Sequence, residues 1–205
     1  MKIAIFGASG RVGSVVLKNA LQHGHHVNVL VRNPPTINQY QNVTIHKGDV
    51  LQKEDVEKVI ECCDAVISCL GTDKNDTLSK SMPIIIEAMR KNHIERIVTV
   101  GTAGILQSRT SPRLYRFQSN ESRRKRTRAA EDHLKAFLIL QTTKLDWTIV
   151  CPTYLPDGTR KGGYRTEKDY LPEEGKSISV YDTGDFVFRQ LESSSFLHSR
   201  VGLCY

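Results

Sequence analysis

The chain has 205 residues, 39% hydrophobic and 25% charged, ordinary proportions for a soluble globular fold with one well-buried core. No apolar run approaches the roughly 20 residues that span a bilayer, and the alternating apolar start at Lys2 argues against a leader peptide, so a cytoplasmic protein with no membrane partner is expected. The net charge of +7 traces mostly to Arg123, Arg124, Lys125, Arg126 and Arg128; without them 24 basic residues face 22 acidic ones, which weighs against a nucleic-acid surface. Five cysteines (Cys62, Cys63, Cys69, Cys151, Cys204) form an odd count without framework spacing and read as reduced thiols.

Strand and helix signals alternate along the chain. Lys2 to Phe6 reads as a strand ended by Gly7, and Arg11 to His23 as a helix stopped by Gly24. A second strand, His26 to Arg32, ends at Asn33-Pro34-Pro35. Val43 to Val50 gives a third, followed by a polar helix from about Gln52 to Glu61. Ala65 to Leu70 is nearly continuous in its apolar character, as a strand covered on both faces should be. A polar loop then leads to a helix running to about Asn92, which either begins at Pro83 or kinks there. Ile97 to Val100 is a fifth strand.

Ala103 to Arg128 reads as a long loop or lid, leading into a helix from about Thr127 to Thr142. Trp147 to Cys151 is a sixth strand ended by Pro152, and Pro156 to Gly175 is a Gly- and Pro-rich excursion. A helix from Asp185 to about Phe196 and a short tail strand complete the pattern. The expected fold is α/β, a Rossmann-type doubly wound parallel sheet with helices on both faces. It forms a single nucleotide-binding domain over 1–205, with substrate-side loops at about 103–126 and 156–176.

The chemistry enters at Gly7-Ala8-Ser9-Gly10-Arg11-Val12-Gly13, between the first strand and the first helix. A helix start offers free N–H groups and a partial positive charge to a pyrophosphate. Gly7 permits the tight turn, Gly10 the approach of phosphates, and Gly13 close packing of helix on sheet. At the end of the second strand, where an NAD enzyme usually presents a carboxylate to the ribose, stands Arg32. It reads either as a partner for a 2′-phosphate, selecting NADP(H), or as a solvated arginine. Asp49-Val50 and Leu70-Gly71-Thr72 fall at the carboxyl edge of the sheet, where ligands gather. Asp49 reads as an adenine contact or as a helix cap.

Lys2-Ile3-Ala4-Ile5-Phe6-Gly7-Ala8-Ser9-Gly10, Val29-Leu30-Val31-Arg32, Gly48-Asp49-Val50-Leu51-Gln52, Leu70-Gly71-Thr72, Asp132-His133 and Cys151-Pro152-Thr153-Tyr154-Leu155 together resemble the flavin reductases of the biliverdin reductase B type. More broadly the chain is similar to the atypical short-chain dehydrogenases with an NAD(P)-binding, NmrA-like domain, over nearly its whole length. The resemblance implies Gly7, Ser9, Gly10, Arg11 and Val12 at the pyrophosphate, Arg32 at the 2′-phosphate, and Asp49 and Val50 at the adenine. It implies Gly71 along the cofactor, with His133 and Thr153-Tyr154 near the nicotinamide. Two positions depart from that pattern: Thr102 replaces a serine, and Tyr154 replaces a histidine. A phenol gives up a proton less readily than an imidazolium, which bears on tetrapyrrole reduction more than on flavin reduction.

Alcohol-oxidising short-chain dehydrogenases pair a Tyr with a Lys four residues on. Here that spacing occurs only at Tyr164 and Lys168, inside the Gly-rich excursion, and Ser119 stands where Tyr115 would need its lysine. Sugar or alcohol oxidation is therefore not expected. A flavin or quinone acceptor asks the protein mainly to position two rings and exclude water. Thr102 would then orient the nicotinamide or the acceptor, unless it only caps its strand, and Tyr154 would line the acceptor pocket. The expectation is an NADPH-dependent reductase of a flavin-like, quinone-like or tetrapyrrole-like acceptor. The alternative is a non-catalytic NADP(H)-binding sensor that regulates a protein partner. His23, His25 and His26 straddle a helix stop and make a poor metal site, and the arginine cluster reads as a solvated helix start or a basic rim.

Overall fold

The structure, a computed structural model, describes residues 1–33, 41–73, 75–122 and 126–205. The Pro34-Pro35 turn, and Arg123, Arg124 and Lys125 of the basic cluster, lie outside the described residues. Among the described residues eight strands form one sheet: β1 (Lys2–Phe6), β2 (His26–Val31), β3 (Val43–Lys47), β4 (Ala65–Ser68), β5 (Arg96–Val100), β6 (Asp146–Pro152), β7 (Arg165–Lys168) and β8 (Ser199–Cys204). Their spatial order is β3-β2-β1-β4-β5-β6-β8-β7, parallel throughout except for β7. The order reverses between β1 and β4, and such a switch point opens a crevice at the carboxyl ends of its strands.

The alternation of β1 divides the core in two. Ile3 and Ile5 point to the face covered by α1 (Arg11–Gln22) and α5 (Val180–Arg189), where they meet Val12, Val15, Val16 and Val187. Ala4 and Phe6 point to the face covered by α2 (Lys53–Ile60), α3 (Thr77–Lys91) and α4 (Arg128–Leu140). Ile3, Ile5 and Phe6 have no exposed surface, and each such side chain contributes about 1.5–3 kcal/mol by leaving water. β1 and β4 are apolar at almost every position because both of their faces are covered.

The structure resolves one alternative left open by the sequence, at α3, and departs from the expectation at two elements. The α3 helix begins at Thr77 and carries Pro83 inside it, on an exposed position where water can take the carbonyl that proline leaves unpaired. Its start is held from α4: the Asp132 carboxylate accepts from Leu78 N (3.0 Å), Ser79 N (3.0 Å) and Ser79 Oγ (2.6 Å). The α5 helix begins at Val180, five residues before the expected Asp185, and ends at Arg189. Ser179 Oγ accepts from Asp182 N (3.0 Å) and so supplies the cap. The 156–175 excursion contains β7, whose Arg-Thr-Glu-Lys sequence has no apolar alternation and closes the sheet edge with charge.

The 103–122 segment is folded rather than slack. Short 3₁₀ turns at Ala103–Ile105 and Arg116–Gln118 flank an antiparallel bridge between Gln107 and Tyr115. The Glu121 carboxylate gathers Arg109 N, Thr110 N, Ser108 Oγ and Arg116 Nε. Burial opposes the charge of Glu121, but these hydrogen bonds outweigh it and hold its pKa down at about 2. Buried Arg200 lies against the Tyr115 and Phe137 rings and donates to Ile105 O and Asp169 Oδ1, tying the segment to β8. None of the five cysteines is in a disulfide, and His23 and His25 pack on the Phe188 ring. Among the described residues no helix is long and apolar enough to cross a membrane.

Candidate functional site

The turn after β1 is shaped by contacts that exclude side chains. Gly7 has φ of 79°, and a Cβ there would lie 2.6 Å from Cys69 O, so neither the backbone angle nor the space admits another residue. Gly10 N donates to Gly7 O (3.0 Å), and Ser14 N donates to Gly10 O (2.9 Å), which starts α1. A Cβ on Gly13 would fall 2.0 Å from Gly7 O, so the helix packs on the turn only because position 13 is bare.

The start of α1 differs from the other helix starts among the described residues. It has neither a side-chain cap nor an acidic residue in its first turn. The α2 and α4 helices carry acidic residues there, α5 has Ser179 and Asp182, and α3 has Asp132. The N–H groups of Arg11, Val12 and Gly13 thus have no intrahelical acceptor and sit at the positive end of a helix dipole. These are the requirements of a bound pyrophosphate.

Beside this turn lies a cleft of about 690 Å³, within the range that holds a nucleotide. Its near wall is Phe6, Gly7 and Ser9, and its sides are the segments 30–32 and 48–51 with Leu70. Asp73 and Asn75, from the connection into α3, and Thr77 and Lys80, from its first turn, complete the lining. Asp49 Oδ1 accepts from Leu51 N (3.0 Å), and Asp49 N donates to Asp55 Oδ2 (2.9 Å), so the carboxylate is held in place. Asp49 does not cap α2, whose N-cap is Gln52 without a side-chain cap; its carboxylate closes a turn on Leu51 N ahead of the helix. Arg32 Nη1 lies 2.9 Å from Asp73 Oδ2 at the cleft rim, with 71% of the arginine side chain and 48% of the aspartate side chain exposed.

Of the residues singled out in the sequence, Gly7, Ser9, Arg32, Asp49, Val50 and Leu70 line this cleft. Gly10, Arg11, Val12 and Gly13 form the adjoining helix start. The Arg11 guanidinium turns away, donating to Leu155 O (3.0 Å) and Asp157 Oδ1 (3.1 Å). Gly71 and Thr72 follow at the sheet edge, and Thr72 O accepts from Asn75 N. Asp73, Asn75, Thr77 and Lys80 were not singled out. They reach the cleft because β4 lies beside β1, a neighbour relation that no local pattern encodes.

The acceptor-side residues lie apart from the cleft. Thr102 Oγ1 accepts from Gly104 N at 3.4 Å, a weak cap on the 3₁₀ turn. Thr153 N donates to Leu203 O, and Tyr154 is 63% exposed and borders neither the cleft nor the cavity at His133. His133 borders a cavity of only about 20 Å³ together with Ser68, Thr99 and Phe137. Burial lowers its pKa to about 4 against the opposing pull of Asp132, so its imidazole is neutral at pH 7. Tyr164 and Lys168 lie at and beside β7. Four residues of extended chain span about 13 Å, too far for the ammonium to act on the phenol.

The family model for NAD(P)H-binding proteins matches residues 7–194. A Bacteroides thetaiotaomicron structure provisionally named an epimerase is 31% identical, with a TM-score of 0.87 over 100% of this chain and 96% of that one. A Streptococcus pneumoniae structure provisionally named an NADH-flavin reductase is 26% identical, with a TM-score of 0.82 over 100% and 99% of the two chains. The Bacillus subtilis protein YwnB is 29% identical over 199 residues, 94% of this chain and 91% of that protein. The sheet order and uncapped glycine turn of the present chain agree with the family-model match over residues 7–194, and the chain belongs to the family of NAD(P)H-binding proteins.

Proposed function

We propose that the protein is an NADPH-dependent reductase that passes a hydride to a flavin-like, quinone-like or related conjugated acceptor. The observation that carries the reading is the uncapped start of α1, opening beside a nucleotide-sized cleft with Arg32 at its rim. When bound, the cofactor supplies the hydride from its nicotinamide ring. The chain's own residues bind and orient. The N–H groups of Arg11 to Gly13 hold the pyrophosphate, Asp49 Oδ2 accepts from the adenine amino group, and Arg32 takes the 2′-phosphate. Leu70, Gly71 and Thr72 carry the cofactor across the sheet edge, with Thr153 and the neutral His133 beside its nicotinamide half.

The acceptor side supports a reaction that needs little acid–base help. Neutral His133 is not charged to give up a proton at pH 7, the Tyr164–Lys168 spacing runs along an extended strand, and Tyr205, over which Lys161 lies, gives its hydroxyl proton to Asp182. That counts against the epimerase chemistry in the name of the Bacteroides structure, and is consistent with the name of the Streptococcus one. The proton that completes acceptor reduction comes from solvent or through the Thr102 hydroxyl, and Tyr154 offers an exposed ring for stacking.

One observation favours the second reading, a non-catalytic NADP(H) sensor acting on a protein partner. The cavity beside His133 is far smaller than the several hundred Å³ that a bound ring system occupies. The test is NADPH consumption by the purified protein against flavins, quinones and biliverdin, with NADH in parallel. Turnover of any acceptor with NADPH preferred supports the reductase. Tight NADPH binding without turnover on the whole panel supports the sensor, and absence of binding refutes both.

A further inference from the structure

Arg32 and Asp73 come from opposite sides of the switch point, Arg32 after β2 and Asp73 after β4, and meet above the glycine turn. Both line the cleft. An ion pair this exposed adds little to stability, so it is displaced at small cost. Asp73 also holds a left-handed backbone, φ 48°, which aspartate tolerates better than most residues but not without strain. A strained aspartate set against the one arginine that the proposed function assigns to the cofactor's 2′-phosphate has a consequence for selectivity.

We infer that Asp73 is a specificity-determining residue, a carboxylate that occupies the 2′-phosphate position on Arg32 and sets how strongly the cleft prefers NADPH to NADH. A cofactor with a bare ribose leaves the Arg32–Asp73 pair intact. A cofactor with a 2′-phosphate must take Arg32 from Asp73, and brings a dianion close to the displaced carboxylate. Arg32 thus attracts the 2′-phosphate while Asp73 taxes it, and the preference is the difference between the two. Arg11 and Asp157 form a similar exposed pair, but Arg11 stands at the pyrophosphate turn that both cofactors share.

The inference rests on the NADPH reading, and its test separates the two. Titrations of NADPH and NADH into the wild type, Asp73→Asn, Arg32→Ala and the double variant supply the cycle. Asparagine is nearly isosteric and accepts a left-handed backbone, so the loop keeps its shape. The expected result is about three- to tenfold tighter NADPH binding in Asp73→Asn, with NADH affinity unchanged. The gain should shrink as salt is raised and become smaller in the Arg32→Ala background, where the competition for Arg32 is gone and only the carboxylate–phosphate repulsion remains. Unchanged NADPH affinity in Asp73→Asn, or equal shifts for both cofactors, overturns the role of Asp73 even where Arg32→Ala abolishes the NADPH preference. If Arg32→Ala also leaves that preference intact, the cofactor reading fails with it.

Discussion

Substituting Gly13 by alanine tests the geometry on which nucleotide binding depends. The added Cβ would stand 2.0 Å from Gly7 O, 2.8 Å from Gly7 C and 3.0 Å from Ala8 Cα, all backbone atoms that cannot swing aside. A carbon meets a carbonyl oxygen comfortably at about 3.3 Å, so helix and turn must separate by roughly 1.3 Å. Overpacking of that kind costs about 1–3 kcal/mol, and losing the Gly10 N to Gly7 O bond costs about 1 kcal/mol more. Alanine returns about 1 kcal/mol as the better helix former. The net loss is about 2 kcal/mol, or about 4–8 °C in Tm for a chain of this size. Binding should fall further, because the N–H groups of α1 move with the helix. NADPH and NADH should both weaken by more than about tenfold, with their ratio preserved because Arg32 is untouched. Gly10→Ala is the comparison. Its Cβ would lie 3.2 Å from Gly7 O at φ of −78°, so Tm should stay within about 2 °C while the side chain still intrudes on the phosphate approach. Differential scanning calorimetry and nicotinamide fluorescence titration read both quantities. A Gly13→Ala protein with wild-type Tm and wild-type affinities would refute the reasoning.

Arg32→Glu should weaken NADPH at least about tenfold and raise NADH relative to it, since a carboxylate repels the 2′-phosphate and can accept from the ribose; paired Kd measurements decide. Asp132→Ala should cost about 2–4 kcal/mol, because it strips three donors at the start of α3 of their acceptor, and Asp132→Asn should cost less; urea denaturation reads both. Glu121→Gln should cost about 2 kcal/mol and speed proteolysis within 103–122, the segment that the carboxylate organises. Because the folded pKa of Glu121 lies below the ordinary carboxylate value of 4.5, its contribution is complete above that pH and fades as pH falls toward about 2. The variant should therefore lose less stability on acidification than the wild type.

What the sequence revealed follows from how each feature is encoded. The strand β1 runs from Lys2 to Phe6 as its pattern indicates, and β4 is legible because burial on both faces demands an unbroken apolar run. The β7 strand is invisible to the same criterion, since an edge strand of Arg-Thr-Glu-Lys buries little and is recruited by β8. The early start of α5 had a signal: Ser179 with Asp182 three residues on, the spacing of an N-cap with an acidic residue in the first turn, obscured by Gly184 within the helix. Gly184 is there because a Cβ would lie 2.6 Å from Val15 of α1, a constraint of packing and not of helix propensity. The near wall of the cleft was legible because a glycine turn has a local chemical grammar. The residues opposite were not, because Asp73 and Lys80 join Arg32 in the cleft lining only through strand order.

The central claim is that hydride leaves a cofactor held on the α1 turn for a conjugated acceptor. The most direct measurement is a single turnover without oxygen: protein loaded with one equivalent of NADPH is mixed with flavin, and the nicotinamide and flavin absorbance bands are followed together. The account predicts that both bands fall in equal amounts, faster with NADPH than with NADH. It also predicts that Gly13→Ala slows the change. Retention of both bands by protein that demonstrably holds NADPH would contradict it.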